Sequence, residues 1–198
     1  MSRKDKEKTS KYDKERYFKY QEIVFDYYGH KCMWPEDCSI TDSDMLQIDH
    51  INGNGNEHRK EIGNSNKLYQ WLIKNNFPKG FRLLCANHNW EYRTKLQKEE
   101  WNSKSHSKES KIQKKYHTKL KEKILNYYDH KCQWSNMCNI VDSNILHIHH
   151  KNGGGNKNRK KIGNSYAINR DIIKNNLYNE FTIFCPNHHN KIHRQVDK

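Results

Sequence analysis

The sequence predicts an α+β protein made of two tandem copies of one small module, and three features of the chain support this prediction. The six cysteines form two sets of three, and the second set, together with one histidine, repeats the first at an offset of one hundred residues. The residues around the cysteines recur at the same offset, so the whole module is duplicated. Within each copy, helical and strand-like patterns follow one another in the same order.

The elements of each module can be predicted in chain order. A lysine-rich amphipathic helix is expected over residues 17–28 and again over 120–128, because apolar residues recur there at helical spacing. A knuckle with two cysteines follows, and then a short alternating strand at 46–48 or 146–148 that enters a glycine-rich loop. In the first module a second helix is expected at 67–75, a returning strand at 81–84, and a last helix that begins near Asn87.

The first module is expected to span residues 1–98, including a basic N-terminal helix, and the second module residues 113–198. Between them, residues 99–112 are rich in serine, lysine and glutamate, with few apolar residues. Such a composition is typical of a polar linker or of a solvated helix extension.

Each module carries a complete set of zinc ligands. Three cysteines cannot pair off within one module, whereas Cys-x5-Cys followed by Cys-x2-His provides four tetrahedral ligands. His30 and His130 are alternative fourth ligands, although a His-x-Cys spacing is tighter than the usual one. The sequence therefore predicts two structural zinc ions, one on Cys32, Cys38, Cys85 and His88, and one on Cys132, Cys138, Cys185 and His188.

Composition and charge point to a polyanionic partner. Only 33% of the 198 residues are hydrophobic, while the formal net charge is +14 and the pI about 9.4. A basic balance of this size favours nucleic acid, although it also fits a merely solubilising surface. No apolar run approaches the ~20 residues that a membrane span needs. The charged N-terminus is unlike a secretory signal, so a cytoplasmic location with no membrane partner is expected.

The residues at the end of the first strand of each module suit phosphodiester hydrolysis. The strand ends in Asp49-His50 in the first module and in His149-His150 in the second. Hydrolysis needs a base that takes a proton from water, and a neutral histidine has a suitable pKa. It also needs a divalent cation that offsets charge on the phosphate and on the leaving oxygen. His50 and His150 also fit ordinary polar strand residues.

These segments, together with the residues that follow Cys85 and Cys185, resemble the HNH endonuclease family. The resemblance implies two ββα-metal (HNH) modules with flanking helices, each with a β-hairpin and a helix around one metal ion. It implies that His50 and His150 are the general bases. It also implies catalytic metal ligands at Asp49 and Asn89 in the first module and at His149, His189 and His193 in the second. The catalytic metal would be Mg²⁺ or another divalent cation.

Some assignments stay open at this stage. The asparagine that braces the base histidine in the family has several candidates here: Asn64, Asn87, Asn164 and Asn187. The basic residues beside the motif favour phosphate contacts over a plain solvated face. The predicted nucleic-acid contacts are Arg59, Lys60, Arg93, Arg159 and Lys160.

The function expected from these residues is a metal-dependent endonuclease of the restriction or homing type that acts on double-stranded DNA. Two active sites in one chain would allow a monomer to cut both strands, and a homodimer is left open. The rival expectations are a non-catalytic zinc protein that binds nucleic acid, and a nickase in which only one copy is active.

Overall fold

The computed structural model describes residues 3–63, 65–135 and 138–196, and the side chains of residues 11–63, 66–135 and 138–195. The chain divides into two compact units, Met1–Cys85 and Ala86–Lys198. Both helices and small antiparallel sheets are present, as an α+β fold requires. No helix in the described ranges is long and apolar enough to cross a bilayer.

The first unit contains one two-stranded sheet and three helices. In chain order these are α1 (Arg3–Tyr28), β1 (Leu46–His50), α2 (Gly55–Ile62), α3 (Ser65–Lys74) and β2 (Phe81–Cys85). Strand β1 pairs antiparallel with β2, and the register places Asp49 opposite Arg82 and His50 opposite Phe81. Helices α1 and α3 bury apolar residues in the same core as the hairpin, among them Phe25, Leu72 and Leu83.

The second unit repeats this plan and adds a helix at each end. In chain order it contains α4 (Ala86–Ser103), α5 (Lys108–Tyr127), β3 (His147–His150), α6 (Gly155–Ile162), α7 (Ser165–Lys174), a 3-10 turn (Tyr178–Glu180), β4 (Phe181–Phe184) and α8 (Pro186–Val196). Strand β3 pairs antiparallel with β4, with His149 opposite Thr182 and His150 opposite Phe181. The core is formed by α5, α7 and the hairpin, with Ile124, Ile172 and Ile183 fully buried.

The cysteine knuckle of each module is attached to its hairpin by backbone hydrogen bonds. In the first module the Cys32 N–H donates to the Ile40 carbonyl, and the Met33 N–H donates to the Leu83 carbonyl. Cys132 makes the same bond to Ile140, and Gln133 bonds Ile183 in the same way. The knuckle therefore lies beside the strand that ends at the third cysteine in the first module and one residue before it in the second.

Two features differ from the expectations. Helices α2 and α6 occupy the stretches expected to be glycine-rich loops, and neither buries any residue, so they give no periodic apolar signal. Most of the stretch 99–112 is helical, because α4 runs to Ser103 and α5 begins at Lys108. The Ser107 side chain caps α5 by accepting a hydrogen bond from the Ser110 N–H at 3.2 Å.

Candidate functional site

Both predicted Cys3His sets are assembled in the structure. Within each set, one potential ligand atom from every residue lies within 4.8 Å of the others. All six cysteines are free thiols, so none is used in a disulfide. The geometry fits two tandem zinc sites, and the predicted grouping of these residues is confirmed.

The second zinc set shows how its histidine is oriented. The His188 Nδ1 atom lies 3.4 Å from the Cys132 sulfur and 3.2 Å from the Cys185 sulfur. The Trp134 ring stacks on the His188 ring, with centroids 5.1 Å apart and planes within 5°. The Cys185 N–H donates to the Cys132 sulfur at 3.3 Å, a bond that stabilises a thiolate ligand.

Two thiols of this set, Cys132 and Cys185, are joined by a hydrogen bond. Hydrogen bonding between Cys132 and Cys185 lowers the pKa of the Cys132 thiol and raises that of Cys185. Zinc is bound by thiolates, so an easily ionised Cys132 suits the site.

His30 and His130, the alternative fourth ligands, bond elsewhere. His30 Nε2 lies 2.8 Å from an Asp26 carboxylate oxygen, and His130 Nδ1 lies 2.9 Å from the Ser143 hydroxyl. The fourth position belongs to His88 and His188, which are the histidines grouped with the cysteines.

A cluster of histidines lies beside the second zinc set. His149 of β3 and both His189 and His193 of α8 present ring nitrogens that lie within 4.8 Å of one another. The Nε2 atoms of His189 and His193 are 3.3 Å apart. Two nitrogen ligands of one tetrahedral cation lie roughly 3.3–3.4 Å apart, given metal–nitrogen distances of about 2.0–2.1 Å. The three imidazoles therefore fit a single cation.

The environment keeps these imidazoles in the form that binds metals. Burial, together with the neighbouring His147, His193 and His149, lowers the pKa of His189 to about 3. Burial and His193 also lower the pKa of His149. Both rings are neutral at neutral pH, and a neutral imidazole is the state that ligates a cation.

A fourth histidine supports this cluster and was not predicted from the sequence. The Nδ1 atom of His147 lies 3.2 Å from Nδ1 of His189, so the two ring nitrogens of His189 face different partners. The His147 ring also packs edge-on against Trp90, with centroids 4.4 Å apart. Such a bond to the second nitrogen fixes the tautomer and orientation of a ligating histidine.

His150, the predicted base of the second module, follows His149 directly at the end of β3. Its ring packs against Phe181, its cross-strand neighbour, with centroids 4.5 Å apart. The amide nitrogen of Asn158 lies 3.0 Å from the His150 Nε2 atom. Its Nδ1 atom faces Gly155, where a Cβ atom would lie only 3.3 Å away. Side chains of adjacent strand residues point to opposite sides, so the His150 ring lies on the other side of β3 from the His149 ring. The two residues are nevertheless neighbours in the strand.

The partner of His150, the predicted base, is therefore Asn158 of α6, and the partner of His50 in the first module is His58 of α2. Of the asparagines considered for this role, Asn164 caps α7 by accepting a bond from the Ala167 N–H, and Asn64 lies outside the described residues. Asn87 and Asn187 exchange two hydrogen bonds, in which each backbone N–H donates to the other's side-chain oxygen. In both modules the partner lies eight positions after the predicted base, at His58 and at Asn158. This repeated spacing is the sequence signal that could have identified it.

The first module differs from the second at the same strand positions. The His50 Nε2 atom lies 2.9 Å from Nδ1 of His58, and burial together with the nearby His58 and Arg59 lowers the pKa of His50 to about 4. Asp49, predicted as a metal ligand, forms an ion pair in which the Arg82 Nε–H donates to a carboxylate oxygen at 2.8 Å. Asn89, its predicted co-ligand, is buried in α4.

The predicted nucleic-acid contacts lie on helices and not on loops. Arg59 and Lys60 are in the last turn of α2, and Arg159 and Lys160 are in the last turn of α6, all of them exposed. Each of these helices begins at the glycine that faces the base histidine. Arg93 lies in α4, where its guanidinium is 5.3 Å from the centre of the Trp90 ring.

Comparisons of the chain with profiles of known protein families, with curated proteins and with solved structures found no match.

Proposed function

We propose that the chain is a metal-dependent endonuclease that hydrolyses phosphodiester bonds of double-stranded DNA, with its catalytic centre in the second module. One observation carries this proposal. A three-histidine cluster that fits one cation includes His149, and the next residue of the same strand is His150, a histidine held by an asparagine side chain and an aromatic ring.

His149, His189 and His193 are the residues that would hold the divalent cation. When bound, this cation supplies Lewis-acid stabilisation of the charge that develops on the phosphate and on the leaving oxygen. Three neutral imidazoles favour Zn²⁺, Ni²⁺ or similar ions, and they also accept Mn²⁺ or Mg²⁺ less tightly. The donor set fits a catalytic more than a structural site, because three protein ligands leave a position for substrate or water.

His150 acts as the general base that takes a proton from the attacking water. Its neutral form is favoured because burial lowers its pKa, while Glu180 opposes this shift. A bond from the Nε2–H to the Asn158 amide oxygen, which a flip of the amide places there, and the packing on Phe181 fix the ring and leave the Nδ1 lone pair to take the proton.

The structural zinc positions the catalytic cluster. His188 belongs to the zinc set and His189 to the cluster, and both lie in the first turn of α8. Consecutive helix residues point about 100° apart, so one helix can address both sites. The zinc therefore fixes the end of α8 from which His189 and His193 reach β3.

The basic helices provide the electrostatic part of the interface. Helix α6 carries Arg159, Lys160 and Lys161 in its last turn and begins at Gly155, beside the base. Together with a net charge of +14, this supports phosphate contacts near the centre. The resemblance of both modules to HNH endonucleases supports the same assignment.

The test is incubation of zinc-loaded protein with supercoiled plasmid in Mg²⁺, Mn²⁺ or Ni²⁺. We expect metal-dependent strand breaks, and we expect His150→Ala or His189→Ala to slow them by about a hundredfold or more. Both variants are expected to keep two zinc ions and to bind DNA.

The matched control is His130→Ala, which removes a half-buried histidine of the same module outside both sites. If the wild-type chain binds duplex DNA but breaks no strand with any of these cations, it is a non-catalytic zinc protein that binds nucleic acid. RNA of the same sequence, tested in parallel, defines the substrate class.

A further inference from the structure

Directly opposite position 49 in the hairpin, the first module has a basic side chain where the second module has a small neutral one. The register pairs Asp49 with Arg82, and at the same register position of the second module it pairs His149 with Thr182. The Arg82 Nε–H donates to Asp49 at 2.8 Å, and the two side chains are only 16% and 8% exposed. A permanent cation is therefore built into the first module beside the carboxylate expected to bind a metal ion.

The other positions of the cluster have changed as well. His189 and His193 of the second module correspond to Asn89 and Arg93, so two imidazoles are replaced by an amide and a second guanidinium. Among the described residues, the groups of three or more His, Cys, Asp or Glu that could hold a metal ion in the first module are its Cys3His set and the surface trio Glu22, Asp26 and His30, and neither includes Asp49.

A divalent cation at Asp49 would have to bind beside the guanidinium, against the repulsion between two positive charges, or displace it. Breaking a largely buried ion pair leaves one charge without its partner, which is strongly unfavourable. The same module nevertheless keeps its zinc ligands, its hydrophobic core and the basic residues Arg59 and Lys60 of α2. These are the parts needed to fold and to contact phosphates.

We propose that the first module binds DNA without a catalytic cation, so that the chain contains a single active centre and nicks one strand of the duplex. This inference rests on the proposed function of the second module. It assigns Arg82 as the residue that excludes the cation, and it makes the product a nick and not a double-strand break.

The first measurement counts cations, and it does not depend on activity. Zinc-loaded protein is dialysed against Mn²⁺ and, separately, against Ni²⁺, and the cations bound beyond the two zinc ions are counted. We expect one per chain, and none in His189→Ala. Two cations per chain, with one retained in His189→Ala, would overturn the inference while leaving the proposed function standing. No additional cation in the wild type would overturn both.

The second measurement follows each strand of a duplex labelled separately on its two strands, at a protein concentration where the chain is monomeric. We expect one strand to be cut at least tenfold faster than the other. Equal rates on both strands at a single position would overturn the inference.

Two variants of the first module complete the test. Arg82→Lys keeps a positive charge opposite Asp49, whereas Arg82→Thr places the second module's residue there. We expect Arg82→Lys to leave the cation count at one, and Arg82→Thr to add weak Mn²⁺ binding at Asp49. Mn²⁺ binding at Asp49 that is equally tight in wild type and in Arg82→Thr would show that Arg82 does not exclude the cation.

Discussion

Replacing Cys185 by serine tests the structural zinc of the second module most directly. Cys185 is fully buried, and its backbone N–H bonds the sulfur of Cys132. Serine keeps nearly the same volume but removes the thiolate, leaving three ligands. We therefore expect loss of the zinc ion and not a simple packing defect.

The expected magnitude follows from comparing two free energies. Apparent zinc binding in small structural sites contributes about 10–16 kcal/mol, whereas a domain is stable by about 5–15 kcal/mol in total. The core of this unit is small, and three of its twelve buried members are the zinc cysteines themselves. Loss of the ion should therefore exceed the net stability and unfold the second module, from α5 to α8, at room temperature.

The assay combines zinc content with circular dichroism. We expect Cys185→Ser to hold about one zinc ion per chain in place of two and to lose much of the helical signal of α5 to α8. His130→Ala is the control, because it removes only the hydrogen bonds of a half-buried histidine, each worth about 1 kcal/mol, and should keep both ions. A folded Cys185→Ser protein with two zinc ions, or a His130→Ala protein with one, would refute the ligand assignment.

Three further predictions concern the second module. Gly155→Ala places a Cβ atom 3.3 Å from the His150 Nδ1 atom, so a small displacement of the ring should slow plasmid cleavage by about three- to tenfold with zinc content unchanged; an unchanged rate would show that the ring is not held there. Replacing Arg159 and Lys160 together by alanine should make the slope of log affinity against log salt less steep by about 1.8, and an identical slope would remove α6 from the interface. Asn164→Ala loses the cap of α7 and should lower the free energy of unfolding by about 1 kcal/mol, measured by urea titration; no change would mean that water replaces the cap.

The zinc ligands were the most predictable part of the molecule. Their identity depends on local spacing, Cys-x5-Cys and Cys-x2-His, and the duplication supplied an independent check. The cluster of His149, His189 and His193 could be predicted only through resemblance, because its members come from one strand and one helix that are far apart in the chain.

The residues that modify the site were not predictable in the same way. His147 and Asn158 acquire their roles from contacts across the fold, to His189 and to His150. Arg82 is a partial exception, since the two strands of the first hairpin were expected and an antiparallel register would have placed it opposite Asp49. Helices α2 and α6 escaped prediction because helices without buried residues leave no hydrophobic period to detect.

A comparison of the two modules distinguishes the residues that maintain the fold from those of the three-histidine cluster. Both keep the Cys3His set and an aromatic residue beside the base histidine, at Phe81 and Phe181. They differ at the residue after the zinc-set histidine. His188 and His88 correspond to each other, but His189 of the second module corresponds to Asn89 of the first. Because a zinc ligand and a cluster position are consecutive in the helix, the zinc can hold the helix end in place while the next residue changes. A copy that lacks the cluster histidines can therefore keep its Cys3His set and its core, as the first module does.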